Sequence, residues 1–187
     1  VSEWFSDVLG TNCQLVYMPD TSRRSINPRF NLGEEVVSFA DGYPLMVIGE
    51  GSLADLNKRI ADSHEESDEV PTFQPLPMNR FRPNLVVSDI DAFAEDAWQK
   101  IRIGEAVFRS TKPCERCVMT TVDQSKGESG GKEPLKTLAT YRMAKDIIPD
   151  SYEALGVGAN AVLFGQNLIA ETPGATISVG DEIVVLA

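Results

Sequence analysis

Histidine is almost absent from this 187-residue chain: His64 is the only one, and it lies among acidic residues. A zinc hydrolase built on several histidine ligands is therefore excluded, and a serine hydrolase would have to take its base from a stretch that reads as solvated loop. Cysteine is scarce as well. Cys13, Cys114 and Cys117 make an odd count, which suits a reducing compartment such as the cytoplasm better than a disulfide framework. Cations are outnumbered, 17 Lys and Arg against 28 Asp and Glu, and the net charge of −11 argues against a nucleic-acid surface. No apolar run is long enough to cross a bilayer, and no charged segment followed by an apolar core opens the chain as a secretory signal. Neither nucleic acid nor membrane is expected as a partner.

What is present is an ordinary globular composition, 42% apolar and 24% charged, enough for one domain with a proper core or for two small ones. Ser2 is placed to cap a helix through Leu9 that Gly10 ends, and Gln14 to Met18 reads as a strand stopped by Pro19. Thr21 to Arg29 is polar and reads as solvated loop. The turn Asp41-Gly42-Tyr43-Pro44 precedes the apolar strand Leu45 to Ile48. Ser52 with Asp55 gives a capping signature for a helix carrying Leu53, Leu56 and Ile60 at helical spacing. Residues 62 to about 80 are dense in acid and then in proline, the pattern of an insertion or linker.

Arg82-Pro83 opens a buried strand, Asn84 to Ser88, and Trp98 to Arg109 alternates about a hairpin turn at Gly104-Glu105. Gln124 to Gly131 is glycine-rich and reads as a mobile connection, without the ending of a phosphate loop. Pro134 is expected to open a helix to about Lys145. Ala161 to Ala170 reads as a strand, Pro173-Gly174 as a turn, and Ile177 to Leu186 as two short strands around Val179-Gly180-Asp181. Many short strands with a few helices predict a mixed α and β, barrel-like domain.

Chemistry concentrates in Lys112-Pro113-Cys114-Glu115-Arg116-Cys117, followed by Val118 to Val122 and Asp123. Cations flank two thiols here, the setting in which thiolate ligands and nucleophiles are built. Half of a zinc site would need two more Cys or His ligands, and only Cys13 and His64 remain. A thioredoxin-type dithiol should cap a helix, whereas Val118 to Val122 is β-branched and predicts a strand. Two readings stay level: one thiolate ligating a metal cofactor, with Arg116 and Arg82 lining the pocket and Asp123 near its edge, or both cysteines buried as small apolar groups.

The segment from Lys112 to Asp123 resembles the signature of the MOSC domain. Ser52 to Asn57, Phe81 to Asn84, Ala94 to Trp98, Lys132 to Leu135 with Thr137-Leu138, and Leu163 to Gln166 are similar to the mitochondrial amidoxime-reducing component and its bacterial relatives. The resemblance runs from about Leu32 to Leu186. It implies a MOSC-type β-barrel-like domain with a few peripheral helices, holding a molybdopterin-bound molybdenum through the thiolate of Cys117, with no ligation assigned to Cys114. Cofactor contacts carry over to Gly42, Tyr43, Arg82, Asn84, Glu115, Arg116 and Asn167, although Gly42 and Tyr43 stand where the mitochondrial protein has Thr and Ser, and Asn167 where it has Tyr.

The implied reaction uses two electrons and two protons to remove oxygen from an N-hydroxylated small molecule, with Asp123 either relaying a proton or capping a turn. Electrons would come from a flavoprotein or a ferredoxin-type domain, a 2Fe-2S cluster being expected only in a domain outside this chain. The resemblance also implies that residues 1–31 form a linker helix and strand from an N-terminal β-rich half, that residues 32–187 are the MOSC domain, and that this piece alone is inactive. The alternative is a sulfur- or cofactor-carrier module without turnover of its own.

Overall fold

Of the chain's two units, the first, Val1–Pro44, carries helix α1 (Ser2–Leu9), which Gly10 ends in a left-handed conformation, φ 63°. Ser2 lies inside this helix and makes no capping bond; Val1 takes the cap position, and the Ser6 hydroxyl donates to the Ser2 carbonyl. Gln14 to Met18 forms no strand. Leu15, Val16 and Tyr17 are exposed, and with no strand beside them among the described residues, β-propensity does not make a ladder. In the expected loop, Arg24 donates to the Ser38 and Ala40 carbonyls and Ser25 pairs with Val36.

The computed structural model describes residues 1–31, 33, 35–40, 42–65 and 74–186, without the side chains of residues 64 and 65. Asp41 of the expected turn and residues 66–73 of the acidic, proline-rich insertion lie outside the described residues.

The second unit, Leu45–Ala187, is built on strands β1 (Leu45–Gly49), β2 (Leu85–Val87), β3 (Lys100–Ile103), β4 (Ala106–Glu115), β5 (Val122–Asp123), β6 (Glu128–Ser129), β7 (Leu163–Ala170) and β8 (Ile183–Leu186). Its helices are α2 (Glu50–Glu65), α3 (Leu135–Leu138) and α4 (Ala144–Ile147). Six strands form one curled sheet in the order β2-β1-β7-β4-β3-β8, parallel only between β1 and β2, and β5 pairs with β6. The expected mixed α and β architecture is thus observed. Register shifts between β4 and β7 at Ser110, Pro113 and Glu115 bend the pair where the cysteine motif begins.

The core explains which runs become strands. β7 is buried along nearly its whole length and β1 from Met46 onward, because both lie inside the sheet and are covered on both faces. On one side Met46, Ile48, Leu56, Ile60, Phe81, Leu138 and Phe164 pack together; on the other Val47, Trp98, Ile101, Phe108 and Leu168 do so.

Several local expectations are corrected. Ser52 does not cap α2, which starts two residues earlier; its hydroxyl donates to both oxygens of the buried Glu95 carboxylate, at 2.7 and 2.9 Å. That carboxylate also accepts the Gly49 N–H, so a residue from a distant turn serves the helix start. The single helix expected from Pro134 to Lys145 is two four-residue helices. Between them Arg142 is drawn into the interior, where it donates to the Leu163 carbonyl and pairs with Asp96 at 2.6 Å. Gln124 to Gly131 folds into the β5–β6 hairpin. Only β8 forms between Ile177 and Leu186, since Ser178 and Asp181 close a turn on each other.

Candidate functional site

Strand β4 carries Lys112, Pro113, Cys114 and Glu115 to the edge of the second unit, so the motif begins as strand end rather than loop. Arg116 then bonds through its N–H to the Val162 carbonyl at 2.8 Å, and the chain turns. The strand expected immediately after Cys117 is instead a 3₁₀ turn, Val118–Thr121, with Cys117 at its N-cap and β5 only after it. The threonines account for this. The Thr120 and Thr121 hydroxyls donate to the carbonyls of Cys117 and Val118, three residues back, a local bond that competes with a strand ladder.

The two thiols have different surroundings. Cys117 is exposed, whereas Cys114 is partly buried and packs against the core containing Met46 and Phe81. Arg116 turns inward: Nη1 donates to Met46 Sδ at 2.8 Å and to Cys114 Sγ at 3.0 Å, and Nη2 donates to the Phe81 carbonyl at 2.7 Å. Its Nε is buried with no hydrogen-bond partner among the described residues.

The remaining residues singled out in the second unit gather at the same end of the sheet. Asn84 Oδ1 accepts the Met46 N–H while its own N–H bonds to the Met46 carbonyl, which ties the segment after Arg82 to β1. Met46 pairs across the ladder with Asn167, whose side-chain amide donates to the Lys112 carbonyl at 3.2 Å. Glu115 is ion-paired with Lys112. Arg82 is exposed, takes φ 54°, a strained value for a residue with a Cβ, and its side chain has no hydrogen bond or ion pair among the described residues. Gly42 and Tyr43 belong to the first unit, where the Tyr43 ring packs edge-on against Phe30.

The MOSC domain family model matches residues 34–184. The chain belongs to that family. It is 35% identical over 153 residues to human mitochondrial amidoxime-reducing component 1, covering 82% of this chain and 40% of that protein. It is 34% identical over 190 residues to the mouse protein of the same name, covering 99% of this chain and 50% of the relative. It is also 36% identical over 179 residues to the molybdenum cofactor sulfurase of rice, Oryza sativa, covering 89% of this chain and 21% of that protein. The chain therefore spans half or less of the length of these relatives.

Three residues of this MOSC domain escape a reading of the motif. Met46 sits in an apolar run indistinguishable from core, and Phe81 contributes a backbone carbonyl, which no side-chain pattern reveals. Arg80, buried to 8% exposure, donates to the Thr121 carbonyl at 2.9 Å and clasps the 3₁₀ turn from the neighbouring segment. Asp123 Oδ1 accepts the Ser125 hydroxyl at 2.7 Å and the Ser125 N–H at 3.0 Å, and these bonds hold its carboxyl below the usual carboxylate range. Its Oδ2 lies 3.9 Å from Arg80. This is the geometry of a turn-capping aspartate.

A separate cleft of about 320 Å³, lined by Arg59, Asp62, Ser63, Lys136, Thr137 and Thr140, shares no residue with the thiol cluster. Among the described residues no three Cys, His, Asp or Glu side chains group as a metal site. No described helix is long and apolar enough to cross a membrane.

Proposed function

We propose that this MOSC domain is the molybdenum-cofactor-binding module of a reductase that removes oxygen from N-hydroxylated substrates, with Cys117 as the thiolate ligand to molybdenum. One observation carries the reading: of the two motif thiols, Cys114 is engaged by Arg116 while Cys117 stands exposed at the N-cap of the 3₁₀ turn that follows β4. A soft sulfur donor of this kind suits molybdenum better than a carboxylate would. Arg82, strained and without a side-chain partner among the described residues, supplies a positive charge for an anionic cofactor edge. Asn84, Glu115, Arg116 and Asn167, with Gly42 and Tyr43, are the further contacts that the family likeness implies.

The cofactor, when bound, supplies the two-electron chemistry that converts an N–OH group, with two protons, to N–H and water. The chain's own part is to present Cys117, to orient the anionic edge through Arg82 and to hold the turn behind the thiol through Asp123 and Arg80. Electrons come from a flavoprotein or a ferredoxin-type domain, and the substrate is a small amidoxime or N-hydroxylated base. The names of the human and mouse relatives favour this chemistry.

The equal likeness to a plant molybdenum cofactor sulfurase supports a second reading, a carrier that holds sulfur or cofactor without turnover. Elemental analysis of the full-length protein and its Cys117→Ala and Cys114→Ala variants, followed by an amidoxime reduction assay with an electron donor, separates the two. The proposal expects about one molybdenum per chain, kept in Cys114→Ala and lost in Cys117→Ala, with reduction of the amidoxime. Metal retained by Cys117→Ala sinks the ligand assignment; bound cofactor without turnover transfers the case to the carrier.

A further inference from the structure

The Arg116 guanidinium is half-buried and has no carboxylate within ion-pair distance among the described residues; Glu115, its neighbour, is taken by Lys112. A cation withdrawn from water without an anion is costly unless other groups compensate. Here the compensating groups are two sulfurs, the Phe81 carbonyl and the Phe81 ring, whose centre lies 5.6 Å from the guanidinium carbon. Sulfur is polarisable and the aromatic face carries partial negative charge, so both attract the cation without matching its charge.

We propose that Cys114 is a positioning residue: with Met46 it forms a two-sulfur cradle that pins Arg116 into the domain and so fixes the backbone from which Cys117 projects. The inference deepens the thiol-site reading above and concerns a cysteine to which neither the motif nor the family likeness assigns a role. Arg116 stands between the end of β4 and the 3₁₀ turn. Its N–H is held by the Val162 carbonyl on one side, and on the other the Cys117 carbonyl accepts from Thr120 N–H at 3.1 Å and Thr120 Oγ1 at 3.0 Å. Anchoring the side chain between Met46 Sδ and Cys114 Sγ removes the remaining freedom of that step. The Cys-x-x-Cys pair then divides its work, one sulfur facing in to hold the arginine and the other facing out.

Cys114 also packs against the core, so a packing role must be told apart from a cradle. The test uses the cofactor-free full-length protein and phenylglyoxal, with modification of each arginine followed by peptide mass spectrometry in the parent, Cys114→Ala, Cys114→Ser and Met46→Leu. Exposed Arg82 is the fast reference; Arg142 and Arg80, 4% and 8% exposed, are the slow ones. The cradle expects Arg116 to react about tenfold more slowly than Arg82 in the parent, since protection tracks local opening. It further expects Arg116 to accelerate severalfold in Cys114→Ala and Met46→Leu, less in Cys114→Ser, with Arg142 unmoved. Amide exchange at Arg116 and Thr120 should quicken in step.

Three results overturn the cradle: Arg116 as reactive as Arg82 in the parent, Arg116 unchanged in the variants, or Arg142 accelerating together with Arg116. The last assigns Cys114 to core packing alone. Because no molybdenum is present in the experiment, its failure is distinct from failure of the ligand reading, which metal analysis decides.

Discussion

The Arg80 guanidinium donates to the Thr121 carbonyl at 2.9 Å, and the same oxygen accepts the Gly130 N–H at 2.7 Å. One carbonyl thereby joins the segment before β2, the 3₁₀ turn after Cys117 and the hairpin that follows. Arg80→Met keeps the apolar stem and removes the donor. We expect a loss of about 2 kcal/mol, the magnitude of a hydrogen bond to a charged group, with Arg80→Lys recovering part of it. Urea unfolding followed by circular dichroism checks this; an unchanged midpoint in Arg80→Met would mean that the clasp contributes nothing.

Glu95 is fully buried and accepts from Gly49 N–H and from the Ser52 hydroxyl, which in turn accepts the Phe93 N–H. Truncation strands donors inside the core. Glu95→Ala should cost about 3 kcal/mol or more, and Glu95→Gln less, because an amide oxygen can still accept one of the bonds. Thermal and denaturant melts of the two variants test the ranking; equal losses would show that the packing of the side chain, not its charge and acceptors, matters.

Gly165 has φ +83° within β7, and a Cβ there would lie 2.7 Å from Ile48 Cγ1 and 2.9 Å from the Val47 carbonyl oxygen. Both the backbone angle and the contact oppose a side chain. Gly165→Ala is expected to destabilise the fold by about 2 kcal/mol or more, and the same substitution at Gly127, where nothing lies within 4 Å, by less. A smaller loss at Gly165 than at Gly127 would refute the steric account.

The lowered Asp123 pKa gives a pH dependence with a definite sign. A carboxylate whose folded value lies below its unfolded one, about 3.9, stabilises fully above that value and loses the contribution as pH falls through the folded value. The Ser125 hydroxyl is the largest cause, followed by its N–H. Ser125→Ala should therefore move the Asp123 midpoint upward towards the ordinary range while the N–H bond keeps part of the depression. Carboxyl-detected NMR titration reads it directly, and a midpoint that stays put in Ser125→Ala excludes the hydroxyl as cause.

Much of the fold was legible because burial leaves its mark on composition. The apolar runs at Leu45 and Leu163 each became a strand where expected, and the alternation around Gly104 became the pair β3 and β4. Gln14 to Met18 did not, since a strand needs a partner that no local pattern supplies. Val118 to Val122 had the β-branched content of a strand, yet threonine hydroxyls bonding three residues back turned Val118 to Thr121 into a 3₁₀ turn and left only Val122 to open β5. Arg142 broke an expected helix because Asp96 and the Leu163 carbonyl, far away in sequence, offered it buried partners.

At the site, the sequence by itself determined the chemistry on offer: two thiols, flanking cations, a single histidine too isolated to build on, and a spacing that belongs to the MOSC domain. Residue types and short spacings are local properties, and they can be read without a fold. Which sulfur faces out was decided by the tertiary structure alone. Met46 and Phe81 come from stretches of chain 70 and 35 residues away from Arg116, and only folding brings them against it, beside its near neighbour Cys114, to hold it in and leave Cys117 exposed.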